Sequence, residues 1–142
     1  PQGDPLMEEL NAWDNLRMWY DRETLKRELA DGALKLLGID GFLKTPVRKM
    51  SGGMKKRLSI GCAVLSHPGI LVLDEPSAAL DPVCKENIRR FLDIYRKDGG
   101  IVLMASHDAQ DLELCNMYYI LRGGALHSYP YDGDFHRLAE AL

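Results

Sequence analysis

Three short stretches of this chain carry residue types that could handle a phosphate and a cation. The run ILVLDEP ends in Asp74 and Glu75. A strand delivering successive carboxylates at its carboxyl end sets them at the rim of a parallel sheet, where ligands of open α/β sheets bind. Strand alternation points the two side chains differently, so one could hold Mg2+ while the other faces a water. The plainer alternative is a strand end whose acids cap the following turn. The run MASHD puts His107 just after a second apolar strand, which predicts that it emerges at the same rim. There it could donate a hydrogen bond to a phosphate carrying developing charge.

The third stretch is KMSGGMKKRLSIG, Lys49 to Gly61. With Ser51 as N-cap, Gly52 and Gly53 fill the first helical turn, and their N–H groups point outward at the positive end of the helix dipole. Adjacent glycines cost a helix interior about 1 kcal/mol each, less near its end. That cost favours an anion approaching bare backbone over a merely flexible entry, and phosphate is the natural occupant. The Ser51 hydroxyl can serve either the cap or the anion. The following Lys55-Lys56-Arg57 reads either as a set of contact points or as a solvated helix face.

The elements that must position these groups follow from pattern. Residues from about 8 to 50 have helical texture: NAWDNLRMWY sets Trp13, Leu16 and Tyr20 on one face, and ETLKRELADGALKLLG sets Leu25, Leu29 and Leu36 at helical spacing before Gly38 ends the run. These stripes are core packing. A helix over 52–66 follows, then ILVLDEP as a short strand buried on both faces. Asp81-Pro82 reads as N-cap and first helical position of a helix to about Lys97. Ile88, Phe91, Leu92 and Tyr95 form its inner face, and IVLMAS is a second buried strand beyond Gly99-Gly100. Strand, crossover helix and strand within about 35 residues predict a parallel α/β sheet. Asp108 caps a further helix, MYYILRGGALHSYP is two strands turning at Gly123-Gly124, and DGDFHRLAEAL is a closing helix.

The chain has 142 residues, is 46% hydrophobic and 27% charged, and carries a net charge of −3. That suits one ordinary domain and disfavours a nucleic-acid binder relying on bulk charge. Cys62, Cys84 and Cys115 form no CxxC pair, which predicts reduced thiols in a cytosolic protein, two or three of them buried. No apolar run reaches the ~20 residues needed to span a bilayer, and the N-terminus has no signal-peptide pattern.

Taken together and in this order, MSGGM, ILVLDEPSAALDP and MASHD resemble the ATP-binding cassette (ABC) ATPase family, and the resemblance covers nearly the whole chain. It implies a P-loop NTPase (RecA-like) α/β core, here the carboxyl-terminal half over 51–142, with the Q-loop and α-helical subdomain over 1–50. It also implies roles. Ser51-Gly52-Gly53 is the signature loop, Ser51 and Gly53 binding the γ-phosphate of a nucleotide held mainly by the opposite protomer. Asp74 holds Mg2+, Glu75 is the general base for the attacking water, and His107 contacts the γ-phosphate. Gln2 senses metal and water, and Asp81 of SAALD crosses a head-to-tail dimer interface. The cofactors implied are ATP and Mg2+.

The implied partners are a transmembrane permease subunit and a second nucleotide-binding domain, with no nucleic acid. The implied location is cytoplasmic, peripheral on the membrane face, and the implied activity is ATP hydrolysis coupled to transport. A soluble cassette ATPase acting in translation or DNA repair is the alternative; such proteins carry paired cassettes or long coiled-coil insertions. Two departures stand out. Met54 replaces the family's glutamine, and SGGMKKRL is similar to export-type cassettes. No GxxxxGK[ST] occurs, and the chain begins at Pro1-Gln2. The expectation is therefore a fragment that is inactive alone, with an uncovered strand edge and apolar sheet face through which it self-associates.

Overall fold

The computed structural model describes residues 6–141. The chain divides into two compact units, residues 1–105 and 106–142. The first unit begins with α1 (Ala12–Arg17), α2 (Arg22–Ala30) and α3 (Ala33–Leu36). Asn11 caps α1 and Asp21 caps α2, each through a side-chain oxygen that accepts from N–H groups of the first turn.

The single leucine stripe expected over 23–38 is corrected by a break at Asp31-Gly32. Helix α2 stops there, and the Glu28 carboxylate turns back to accept from Ala33 N–H at 3.0 Å, capping α3. The break resets the helical phase. Leu25, Leu34 and Leu37 are fully buried, while Leu29 and Leu36 are only half-buried. Gly38 ends the run, as expected, with φ +66°. Leu16 is fully buried on α1, Trp13 and Tyr20 are half-buried, and the Tyr20 hydroxyl donates to Cys62 O at 2.7 Å.

Helix α4 (Gly52–Val64) threads this helical cluster. Its Leu58 is fully buried with Leu16, Leu25, Leu34, Leu37 and Ile39, so the helix that begins at the glycine pair shares the core of the preceding helices. Gly61 makes the close approach possible. A Cβ there would lie 2.6 Å from Ile39 Cδ1 and 2.9 Å from Leu34 Cδ2. Both atoms are side-chain ends, so one methyl can be absorbed, and alanine regains about 1 kcal/mol of helix propensity. Gly61→Ala is expected to leave stability within about 1 kcal/mol of wild type, whereas Gly61→Leu overpacks the site and costs about 3 kcal/mol. Urea unfolding of the two variants checks the contrast.

Strands β1 (Ile70–Asp74) and β2 (Ile101–Ala105) pair in parallel, with Ile70 opposite Ile101 and Asp74 opposite Ala105. Helix α5 (Pro82–Lys97) crosses between them and packs on β2 through a face bearing Ile88, Phe91 and Leu92, all buried. Tyr95 is half-buried on that face and its hydroxyl donates to Pro68 O.

The expectation that both faces of these strands are covered is corrected. Leu71 and Leu73 are buried, but Ile70, Val72, Ile101 and Leu103 stand 58–68% exposed. Among the described residues β1 and β2 pair only with each other.

In the second unit Asp108 caps α6 (Ala109–Leu112) by accepting from Gln110 N–H. Strands β3 (Tyr119–Arg122) and β4 (Ala125–Ser128) form a hairpin, followed by α7 (Phe135–Ala141). The two turn residues, Gly123 and Gly124, have φ +58° and +78°, the left-handed pair that a tight hairpin of this twist requires. The Tyr118 hydroxyl donates to Cys115 O at 2.7 Å, tying the hairpin to the segment after α6.

All three cysteines are free thiols. Only Cys84 is buried by exposure; Cys62 and Cys115 are half-buried, one buried thiol rather than two or three. Burial pushes the Cys62 thiol up to about 11.

Candidate functional site

At the start of α4 the Ser51 hydroxyl accepts from Met54 N–H at 3.2 Å, with Ser51 in extended backbone, so the hydroxyl serves the cap. The two glycines that follow have different surroundings. A Cβ on Gly52 would meet nothing within 4 Å, and the residue is exposed. A Cβ on Gly53 would sit 2.6 Å from Cys84 Sγ and 3.1 Å from Cys84 Cβ. The missing side chain at Gly53 is therefore accounted for by packing against α5, and open space remains at Gly52.

Asp81 caps α5 by accepting from Cys84 N–H at 3.0 Å. The thiol and the N–H of Cys84 hold its carboxyl below the ordinary range, while burial and the Asp81 contact push the Cys84 thiol up. Asp81 Oδ2 lies 3.7 Å from the Cβ position on Gly53. The fold thus gathers Ser51, Gly52, Gly53 and Asp81 at the amino ends of two helices. Cys84 is the wedge between those ends, and nothing in the spacing of the chain marks it for that place.

The acidic pair sits at the carboxyl end of β1. Asp74 is the last strand residue and is exposed, while Glu75 is half-buried. Glu75 has φ +45°, the left-handed region, which costs a non-glycine residue on the order of 1–2 kcal/mol. Its N–H donates to Ala105 O at 2.8 Å, one step past the last paired residues of the ladder. The buried Pro76 and Ser77 anchor the turn behind it. Strand alternation alone does not separate the two carboxylates; this backbone turn also re-aims Glu75.

The basic run is not a solvated face. Lys55 pairs with Glu8 at 3.2 Å, and Lys56 Nζ donates to Asp74 O at 2.9 Å. Arg57 donates to Leu37 O at 3.0 Å and Gly53 O at 3.3 Å, with its guanidinium 5.0 Å from the Phe42 ring centre. Three successive helical residues point about 100° apart, so such a run cannot face one way, and this was the signal available in the chain. Asn15, buried, was also missed. Its amide accepts from Met7 N–H at 2.8 Å and donates to Met7 O at 3.1 Å, holding the segment ahead of α1.

His107 belongs to the second unit, two residues beyond β2, and is exposed. Beside it Ser106 Oγ donates to Asp111 Oδ2 at 2.8 Å and accepts from Asp108 N–H at 3.1 Å. Gln2 lies outside the described residues.

The parallel strands and crossover helix, with acids at a strand end and a capped glycine turn, define a P-loop NTPase core of the cassette type. Solved structures bear out that fold. The chain superposes with a TM-score of 0.75 and 26% identity on the dimeric post-hydrolysis state of the ATP-binding cassette MJ0796 bound to ADP and Pi, covering 91% of this chain and 60% of that one. The family model described as ABC transporter matches residues 1–78. This chain belongs to the ABC transporter family.

Among curated relatives, the lantibiotic transport ATP-binding protein SrtF of Streptococcus pyogenes is 28% identical over 132 residues, 92% of this chain and 58% of its own length. The molybdenum import ATP-binding protein ModC of Rhizobium johnstonii is 38% identical over 108 residues, 75% of this chain and 30% of its own. The chain thus spans no more than 58% of either relative.

Proposed function

We propose that this chain is the signature-to-switch portion of a transporter's ATP-hydrolysing subunit, acting on a nucleotide clasped between two cassettes head to tail. The observation that carries the reading is the open, side-chain-free approach at Gly52, on the capped amino end of the 13-residue helix α4. Bare N–H groups and the positive end of a helix dipole suit a phosphate. In this reading Ser51, Gly52 and Gly53 receive the γ-phosphate of ATP held by the facing cassette, and Asp81 lies at the junction between the two.

The acidic rim supplies the second half. Among the described residues no group of three or more His, Cys, Asp or Glu is arranged to hold a metal. Mg2+ takes one or two carboxylates and completes its shell with phosphate oxygens and water. Asp74, exposed at the strand end, is the residue proposed to hold it, and when bound the ion neutralises charge on the transferred phosphoryl group. Glu75 accepts a proton from the attacking water, His107 donates to the γ-phosphate, and Gln2 senses the metal and water.

Among the described residues no helix is long and apolar enough to cross a membrane. A separate permease subunit at the cytoplasmic face is the proposed partner. Export is the proposed direction, in keeping with the SGGMKKRL form. The exposed face of Ile70, Val72, Ile101 and Leu103 supports the self-association expected of this chain.

Gly52→Val tests the reading. Open space around that Cβ predicts a change in stability under about 1 kcal/mol. Blocking the amide approach predicts at least a tenfold loss in Mg-ATP turnover by the cassette dimer, on the scale of one lost oxyanion donor. Turnover within twofold of wild type would sink the phosphate assignment.

A further inference from the structure

The peptide unit joining Asp74 to Glu75 is held at both ends. Its N–H, from Glu75, donates to Ala105 O at 2.8 Å, and its carbonyl, of Asp74, accepts from Lys56 Nζ at 2.9 Å. One hold comes from the neighbouring strand, the other from α4, two turns or less beyond the Ser51 cap. The orientation of that unit sets φ of Glu75, the residue found at +45° in a region that side chains rarely adopt. The Lys56 ammonium takes the main-chain oxygen and leaves the Asp74 carboxylate exposed. Lys56 and Asp74 both line a groove of about 210 Å³, together with Ser59, Ala63 and Leu73 among others, so the bond joins two walls of one groove.

We propose that Lys56 is a positioning residue for Glu75. It clamps the Asp74–Glu75 peptide in the turned orientation and transmits any shift of the amino end of α4 to the carboxylate. The assignment rests on the reading of Glu75 as base for the attacking water, but the clamp itself is a statement about the backbone. A lysine is suited to the task because its long stem reaches a carbonyl on another element and its charge strengthens the bond. A single charge-assisted bond is of the same order as the strain of a left-handed residue, so removing it releases the turn.

Two measurements on the intact chain and its cassette dimer decide the matter. In Lys56→Met, the Glu75 amide proton is expected to exchange about tenfold faster by NMR, Lys56→Arg restoring it to within about threefold, and the neighbouring Lys55→Met leaving it unchanged. Unchanged Glu75 exchange in Lys56→Met overturns the clamp. In Mg-ATP turnover, Lys56→Met is expected to lower kcat about tenfold with KM unchanged, and Lys56→Arg to recover most of it. Faster exchange with unaltered kcat overturns the positioning role. Turnover is read on complete cassettes that carry this segment together with a phosphate-binding loop; if those hydrolyse no ATP, the functional reading fails by itself, while the exchange result on this chain still decides whether the clamp exists.

Discussion

Glu75→Gln is expected to lower Mg-ATP hydrolysis by the assembled cassettes about 10²–10⁴-fold, the range for loss of a positioned general base. The change is nearly isosteric and exchanges a carboxylate for an amide that cannot take the water's proton. Glu75 is half-buried, its backbone is held through Ala105 O, and the buried Pro76 and Ser77 follow it. Glutamine therefore keeps the same turn, and nucleotide affinity is expected to stay within about threefold, since the lost interaction forms only in the transition state. Asp74→Asn should behave differently. It weakens the proposed cation ligand, so turnover should recover as Mg2+ is raised. Steady-state kinetics across a Mg2+ series separates the two. Turnover of Glu75→Gln within threefold of wild type would remove Glu75 from the chemistry.

Arg57→Ala is expected to cost about 2–4 kcal/mol in stability, lowering the thermal midpoint by about 10 °C for a chain of this size. The guanidinium joins three segments at once: Leu37 O at the end of α3, Gly53 O in α4 and the ring of Phe42. Truncation leaves the Leu37 carbonyl seeking a partner in a half-buried place and removes a stacked cation worth about 0.5–2 kcal/mol. Arg57→Lys should recover less than half of the loss, because an ammonium cannot serve two carbonyls and stack on a ring in one geometry. Lys55→Ala is the control. Its partner Glu8 is 68% exposed, so that pair is worth under about 1 kcal/mol. Calorimetry of the three variants checks the order, and equal losses for Arg57→Ala and Lys55→Ala would refute it.

Much of the local structure was legible because it depends on neighbours in the chain. Ser51, Asp81 and Asp108 cap the helices that follow them, since each needs only its own hydroxyl or carboxylate and an N–H two or three residues on. Gly123-Gly124 turns the hairpin because only glycine enters that backbone region freely. The ordered motifs MSGGM, ILVLDEP and MASHD carried the resemblance by themselves, and the family match over residues 1–78 covers the first two.

Elsewhere the chain pattern misled for physical reasons. A leucine stripe presumes an unbroken helix, and the carboxylate of Glu28 together with Gly32 broke it, exchanging Leu29 and Leu36 for Leu34 and Leu37 in the core. A continuous apolar run states that a strand tolerates burial on both faces, not that anything covers both, and Val72 and Leu103 stand in the open.

The order of residues alone determined which groups could bind a phosphate and a cation, and which helix ends and strand ends present them. Only the tertiary structure decided that Gly53 makes room for Cys84 while Gly52 stays open, that Arg57 staples rather than greets a partner, and that Lys56 reaches the Asp74 carbonyl. Those are contacts between positions 18 to 31 residues apart, or between faces of different elements. Short-range spacing cannot encode them, because they arise from how α4, α5 and β1 pack once each has formed.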